Sequence, residues 1–412
     1  MQAAAAARAL RILLTGVIAL AVVVGLAPSA AQADTYVDNR EFGLHVPQIA
    51  NGVSPTVSYG SVRLWDAGVS WGQVERRRGQ YWWTGLDRAV QAANAQRAQI
   101  LYVLGSTPTW AASKRSQGTY PNRGAASMPR RLADWRRWVT AVVTRYGSSI
   151  DAYQIWNEAN LATFWQGTPR QMARLTKEAT RIIRRLDPTA KVVAASSTVR
   201  LRSAFSRFFP AYLRELRRVG WPVDVFAIHT YGPSTSTPAL RARYVRLART
   251  ELRKARAPRR PMWDTEVNYG IKGPGPGYPD KDIGGYKAAT YVAQTYLDSV
   301  RLGIARTYWY SWSPKIDLLG ITMNTGYPGA TAFQTTEDWL VNARVDCRSR
   351  HVRVCRINKD GVLSRVAWTS SGFPGRFVVP YFATRMCDAR NRCQAVTPGS
   401  KVRIGRMPRW FG

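Results

Sequence analysis

From about residue 40 to 343 one unit recurs along the chain: a short apolar run, a loop rich in Gly, Pro and aromatic residues, then an amphipathic stretch. The apolar runs are 42-FGLHV-46, 61-SVRLW-65, 99-QILYVLG-105, 151-DAYQIW-156, 191-KVVAAS-196, 224-DVFAIH-229, 261-PMWDTE-266 and 305-ARTYWY-310. Helical patterns follow several of them, as over 86–98, 131–146, 170–186 and 285–300. Strands alternating with helices predict a parallel sheet. Eight such units in roughly three hundred residues predict an α/β fold of the (β/α)8 TIM-barrel type. A doubly wound open sheet is the alternative, but its usual Gly-rich first turn is absent. The first helix is the weak point, because 48-QIANGVSPTVSYG-60 reads as loop.

The pattern changes after about Val345. Pieces such as 362-VLSRVAWTS-370 and 376-RFVVPYFATRM-386 read as strands, with turns at Lys359-Asp360-Gly361 and Ser371-Gly372. The expected division is a barrel over 34–345 and a small all-β module over 346–412. All four cysteines, Cys347, Cys355, Cys387 and Cys393, lie in the module. Four cysteines allow three connectivities. The short spacings favour Cys347–Cys355 and Cys387–Cys393, each closing one hairpin. A zinc site is the rival reading, but neither pair has C-x-x-C spacing and His351 is the only histidine nearby. Disulfides require an oxidising compartment, and a small module gains most from them. No linker rich in Ser, Pro or Gly precedes the module, so it is expected to pack against the barrel.

The N-terminus agrees with export. Arg8 and Arg11 precede an apolar run from Ile12 to Leu26, and 31-AQA-33 follows. That order reads as a signal peptide over 1–33, cleaved after Ala33. An uncleaved anchor helix is the other reading. No other apolar run is long enough to span a bilayer, so the mature chain is expected outside the cell with no transmembrane segment.

Charge adds a question. The chain has 60 Lys+Arg against 25 Asp+Glu, a net +35. Nucleic acid is the first partner such a charge suggests. The basic residues are spread along the whole chain, however, and no nucleic-acid module signature is present, so no specific nucleic acid is expected. What remains is a surface biased toward Arg, or attraction to an anionic surface or polymer through the summed field.

The candidate chemistry sits at strand ends, where a barrel of this kind builds its active site. The fourth run ends in Asn157-Glu158 and the seventh in Glu266. The second carries Arg63, the sixth His229 and Tyr231, the eighth Trp309 and Trp312. Two carboxylates on facing strand ends are what glycoside hydrolysis needs: one protonates the leaving oxygen, the other attacks the anomeric carbon. Their environments must push their pKa values apart. An arginine beside one keeps it ionised, and Tyr231 would donate a hydrogen bond to the same group. The other, among Trp156 and Phe164, would stay protonated through desolvation. The 16 Trp, among them Trp71, Trp82, Trp83, Trp110, Trp165 and Trp312 in loops, offer flat faces to the apolar faces of sugar rings. Asp264, two residues before Glu266, is expected to point the same way but one layer deeper, as a structural partner. Trp309 is expected to pack under the helices, and Glu75 to pair with its arginine neighbours. With three His and no H-E-x-x-H, no metal or other cofactor is expected.

These segments resemble the clan A glycoside hydrolases. The segment 155-IWNEAN-160 looks like the acid/base motif that ends the clan's fourth strand, and 263-WDTEVN-268 like the nucleophile motif of its seventh. The pattern 229-HTY-231 is similar to the sixth-strand His and Tyr, and 311-SW-312 to the eighth-strand Trp. The segment 64-LWDAGVSWGQVERRRGQYWW-83, with Arg63 before it, resembles the second-strand region of family 39-type members, with family 5-like enzymes as neighbours. The resemblance covers about residues 40 to 343. It implies Glu158 as general acid/base and Glu266 as nucleophile. It implies Asn157 on the sugar 2-hydroxyl, Arg63 and Tyr231 holding Glu266, and His229, Trp312 and His45 lining the sugar site. It also implies retention of configuration, with the two carboxyls about 5–5.5 Å apart.

The loops 270-GIKGPGPGYPDKD-282 and 106-STPTWAASKRSQGTYPNRG-124 carry Lys114, Arg115, Arg123, Lys272 and Lys281. As walls of a groove they would suit a chain-like, anionic glycan cut internally. A closed pocket trimming single sugars such as xylose is the alternative. Three readings of function follow: a secreted retaining β-glycosidase acting on a poly- or oligosaccharide, a carbohydrate-binding barrel without activity, or a basic protein that binds anionic polymers. The β-module would cover a barrel flank or bind sugar.

Overall fold

The computed structural model describes residues 34–272, 281–314, 316 and 318–412. The signal-peptide reading and most of the Gly/Pro-rich loop after the seventh run lie outside the described residues. A parallel sheet contains β2 (Phe42–Leu44), β3 (Ser61–Leu64), β4 (Gln99–Val103), β5 (Ala152–Gln154), β6 (Lys191–Val193), β7 (Ser197–Thr198), β8 (Phe226–His229), β9 (Met262–Val267) and β10 (Arg306–Trp309). All eight apolar runs are therefore strands. The strand order runs from β6 through β5, β4, β3, β2, β10, β9 and β8 to β7. The two ends of this curled sheet are the two halves of one interrupted strand, 191–198. A single bridge between Val193 and Val225 spans the break. The result is an incomplete barrel.

The helices are α1 (Trp71–Val74), α2 (Thr84–Ala95), α3 (Leu132–Tyr146), α4 (Pro169–Leu186), α5 (Arg202–Arg218), α6 (Pro238–Lys254), α7 (Gly285–Leu302) and α8 (Pro328–Leu340). They surround the sheet. Between β2 and β3 there is only a 3-10 turn, Ile49–Asn51, as the loop-like sequence there predicts. Local sequence explains the boundaries. Before α4, Thr168 and Gln171 form a capping box and Pro169 opens the helix. After α7, Gly303 adopts the left-handed conformation that ends helices. Strand alternation sorts the core into two layers. Leu101, Ala152, Val193, Val225, Ala227, Trp263 and Tyr308 fill the barrel interior. Their neighbours Tyr102, Tyr153, Val192 and Phe226 face the helices in the larger outer core. Trp309 belongs to that outer layer and packs on Tyr269 with ring centroids 6.1 Å apart.

The C-terminal module is antiparallel. It contains β11 (Ala343–Arg348), β12 (Val352–Lys359), β13 (Val362–Thr369), β14 (Gly375–Val378), β15 (Arg385–Asp388), β16 (Cys393–Ala395), β17 (Lys401–Ile404) and β18 (Arg409–Phe411). Disulfides join Cys347 to Cys355 across β11–β12 and Cys387 to Cys393 across β15–β16. The first strand of the chain, β1 (Thr35–Val37), pairs with β11, so both ends of the chain build one sheet. The inner face of that sheet, through Cys355, Ile357, Val366 and Trp368, is continuous with the outer core of the barrel. Asp298 of α7 fastens it by accepting from Arg353 of β12 at 3.0 Å. The remaining strands, β14 and β17, form a separate two-stranded ribbon. It covers part of the sheet's other face through Phe377, Val402 and Ile404.

Candidate active site

Arg63 is the hub of the site. It lies on β3 between Val62 and Leu64, which face the outer core, so its side chain points into the barrel and is fully buried. Its Nη1 donates to Glu266 Oε1 at 2.6 Å, its Nη2 to Asn157 Oδ1 at 2.7 Å, and its Nε to Gln154 Oε1 at 2.8 Å. One guanidinium thus ties the ends of the second, fourth and seventh barrel strands together. Tyr231 donates to the other oxygen of Glu266 at 2.9 Å.

Glu266 owes its position to an irregularity in β9. The pairing with β8 matches Ile228 to Asp264 and His229 to Glu266, leaving Thr265 as the extra residue of a bulge. Thr265 and Glu266 consequently both face the interior. Thr265 accepts from His45 Nε2 through its carbonyl at 2.9 Å and meets His229 Nε2 through its hydroxyl at 3.0 Å. The same bulge overturns the expectation that Asp264 points with Glu266. Asp264 faces the helices, where Arg241 of α6 donates to it at 2.8 Å and the Thr230 hydroxyl also binds it. Its role there is structural, as expected.

Glu158 follows β5 in the left-handed region, φ 36°, a conformation a non-glycine residue keeps only where its surroundings hold it. Its N–H donates to Ser196 Oγ at 2.9 Å, and the next N–H donates to the Ser196 carbonyl. His229 Nδ1 lies 3.0 Å from Glu158 Oε1 and 3.3 Å from Glu266 Oε2. One carboxylate oxygen from each glutamate and a ring nitrogen of His229 all fall within 4.8 Å of one another. Among the described residues these three are the only group placed to hold a metal ion. Arg63, however, already engages Glu266 and sets a positive charge beside the position a cation would take.

Burial pushes the Glu158 carboxyl above the ordinary glutamate range, against the pull of Arg200, Thr198 and Arg63. Burial raises Glu266 as well, with His229 and Arg63 opposing it and the charges of Glu158 and Asp66 adding to the rise. Two carboxylates this close do not ionise independently. The direct Arg63 contact makes Glu266 the one that ionises first, and Glu158 keeps the proton longer. Burial lowers His229 to about 3. The ring is then neutral near neutral pH. Its Nδ1 faces acceptors and carries the hydrogen, and its Nε2 accepts from the Thr265 hydroxyl.

The two glutamates lie at the floor of a cleft of about 580 Å³. Asn157, Tyr231, Trp65, Asp66, Phe164 and Arg200 are among the residues that line it. His45 lies just beneath, 3.4 Å from Arg63. Three of the expected sugar-facing residues are elsewhere. Trp165 is buried on Trp156, with centroids 5.0 Å apart, because the turn after Glu158 folds it back toward the core. Trp110 donates to the Glu75 carbonyl and packs edge-on against Trp71. Trp312 is buried in the outer core and bridges to Met323. Tyr310, two residues earlier, lines the cleft instead. Its hydroxyl donates to Asp66 at 2.6 Å, and Tyr120 donates to the other Asp66 oxygen at 2.6 Å. Asp66, Tyr120, Tyr310 and Ser196 were not singled out by sequence. Asp66, Tyr310 and Ser196 each lie at or just past the end of an apolar run, whereas Tyr120 lies in a loop. Glu75 is fully buried and takes Trp71 Nε1, Gly79 N and Arg137 of α3 rather than its arginine neighbours.

No protein-family model matches the sequence, and no curated protein matches it. Solved structures do. A family 39 β-xylosidase from Caulobacter crescentus is 17% identical, covers 93% of this chain and 97% of its own, and superposes with a TM-score of 0.67. A family 30 endoxylanase from Clostridium papyrosolvens is 15% identical, with coverage of 93% and 97% and a TM-score of 0.58. A family 44 xyloglucanase from Paenibacillus polymyxa is 10% identical, with coverage of 92% and 97% and a TM-score of 0.60. The chain has a glycoside-hydrolase-like fold. At these identities the likeness is one of fold, distant from each of the three families.

Proposed function

We propose that the protein is an exported retaining glycoside hydrolase, with Glu158 as general acid/base and Glu266 as nucleophile. The observation that carries this reading is that an oxygen of each carboxylate lies within 4.8 Å of the other, with Arg63 bonded directly to Glu266 at 2.6 Å. That closeness supports retention, because retaining enzymes hold their two carboxyls nearer to each other than inverting enzymes do. In the first step Glu266 attacks the anomeric carbon. The bond to the leaving oxygen breaks, and that oxygen takes the Glu158 proton. In the second step Glu158, now a carboxylate, takes a proton from water. The hydroxide so formed adds to the anomeric carbon, and the bond to Glu266 breaks. Asn157, held by Arg63, presents its amide N–H to the sugar 2-hydroxyl. His229 stays neutral between the carboxylates and adds no charge that would ionise Glu158 early. The N-terminal segment 1–33 serves as the export signal, and the barrel of 34–345 carries the site beside the module of 346–412.

Phe164, Leu161, Leu201 and Leu318 give the cleft an apolar wall suited to further sugar rings. That supports internal cleavage of a β-linked polysaccharide, such as a cell-surface, exopolysaccharide or plant-type glycan. A second reading, release of single terminal sugars, is favoured by the Tyr120–Asp66–Tyr310 chain, which closes one side of the site. A product profile from a β-glycan panel separates the two: a ladder of oligosaccharides for the first, a monosaccharide for the second. The chemistry is tested by proton NMR of the first-formed anomer and by trapping with a 2-deoxy-2-fluoro glycoside. Retention with a label on Glu266 is expected. Inversion, or full activity of Glu266→Gln, overturns the assignment.

A further inference from the structure

The β14–β17 ribbon has an outward face with an unusual pairing. Its inward residues, Phe377 and Ile404, pack on the module sheet. Facing out are Arg376 and Arg403, directly opposite each other in register, and then Val378 opposite Lys401. Like charges set directly opposite destabilise a strand pair. Neither arginine has an acidic partner among the described residues. The two cationic rungs stand about 7 Å apart along the strands. An aromatic residue flanks them at each end. Phe373, just before β14, is 77% exposed, and Tyr381, just after it, is 86% exposed. Tyr381 is not dangling: its ring lies against Gly399, where an added Cβ would come within 3.3 Å of it.

Two exposed aromatics at the ends of the ribbon, and three outward cations that have no acidic partner among the described residues, offer a surface for a linear anionic chain. We infer that the outward face of this ribbon binds an acidic polysaccharide, its carboxylates bridging Arg376 and Arg403 and its sugar rings resting on Tyr381 and Phe373. The ribbon would hold the enzyme on a charged glycan independently of the cleft. The choice of a glycan, rather than a lipid surface or a nucleic acid, rests on the reading of the cleft as a glycosidase site. The ribbon's binding is measured without hydrolysis, so failure of one reading is distinguishable from failure of the other.

The test is affinity electrophoresis of the intact protein in gels containing polygalacturonate, with dextran as the neutral control. Retardation by polygalacturonate but not dextran is expected. Arg376→Gln/Arg403→Gln should weaken it at least about tenfold, the loss expected for two charge-assisted contacts. Tyr381→Ala should weaken it while leaving the electrophoretic charge unchanged. The control, Arg170→Gln/Arg174→Gln, removes the same charge from exposed positions on α4. It should change retardation less than about twofold, because bulk charge acts only through a screened field. Equal losses in the two double variants would overturn the proposal in favour of bulk charge. Tighter binding to duplex DNA or to phosphatidylserine vesicles, lost in the ribbon variant, would overturn the choice of partner. Hydrolysis of a small aryl glycoside should be unaffected in the ribbon variants, which shows that the fold and cleft are intact.

Discussion

Arg63 and Glu266 form a buried ion pair, 2.6 Å between Nη1 and Oε1, at the floor of the cleft. The same guanidinium also holds Asn157 and Gln154. Three acceptors around one planar fork are more than a lysine ammonium reaches in the same geometry. Arg63→Lys is therefore expected to lower kcat/KM about 10²–10³-fold, the scale of losing one preorganised electrostatic contact. Arg63→Met should lose more. Steady-state kinetics on an aryl glycoside checks this. A Lys variant with wild-type kcat/KM would mean that the fork does not position the nucleophile.

The pH profile follows from the same asymmetry. Under the proposed mechanism, activity needs Glu158 protonated and Glu266 ionised. Because burial raises Glu158, the alkaline limb of kcat/KM should lie above the ordinary glutamate range, and the acid limb belongs to Glu266. His229, lowered to about 3, contributes no limb between about pH 4 and 8. With an activated aryl glycoside, whose leaving group needs no proton, Glu158→Gln should lose the alkaline limb while keeping a measurable first step. Persistence of that limb in the variant would remove Glu158 from the acid role.

The parts of this site that the sequence revealed are those whose signal is local. The eight apolar runs are strands because apolar residues, β-branched residues and loop punctuation agree within each short window. Glu158 and Glu266 stand out because a carboxylate ending an apolar run is rare in so basic a chain. The bulge at Thr265 left no such mark: one extra residue in a strand changes no composition, yet it turns Asp264 outward and Glu266 inward. Tyr120 and Tyr310 reach Asp66 from two different loops, so their meeting depends on where the barrel brings the loops. The tryptophans misled for a related reason. Aromatic rings after strands suit sugars, but Trp165 and Trp312 turn into the core and Trp110 packs against its edge. The pairing of Thr35 with Val345 lies beyond any window, since the whole barrel sequence separates the partners.

Arg241 and Asp264 give a contrast with the Arg63–Glu266 pair. Both are fully buried and 2.8 Å apart, but they face the helices, away from the cleft. Removing one partner leaves the other charged and unsolvated. Arg241→Met is expected to cost about 3–5 kcal/mol of stability. The double change Arg241→Met/Asp264→Leu should recover most of that, since no uncompensated charge remains. Denaturant unfolding measures both. The folded fraction of each variant should keep kcat within a few-fold of wild type. A large kcat loss with unchanged stability would place Asp264 in the chemistry after all.

Glu41 offers a test of the fold that is independent of function. It sits in a short turn ahead of β2, and its carboxylate accepts from the Asp38 N–H at 3.4 Å. Burial pushes its carboxyl up to about 8, with the Asp38 charge adding to the rise. A carboxyl raised in the folded state binds more protons folded than unfolded between the two pKa values. Its contribution to stability is therefore full below the unfolded value near 4.5 and is lost as pH rises toward about 8. Gln in its place can still accept the Asp38 N–H and cannot ionise. Glu41→Gln should match wild type near pH 4.5 and become progressively more stable than it up to pH 8, with the difference constant above. Melting temperatures of the two proteins across that range provide the measurement. Parallel curves would mean that Glu41 ionises as freely in the folded chain as in the unfolded one.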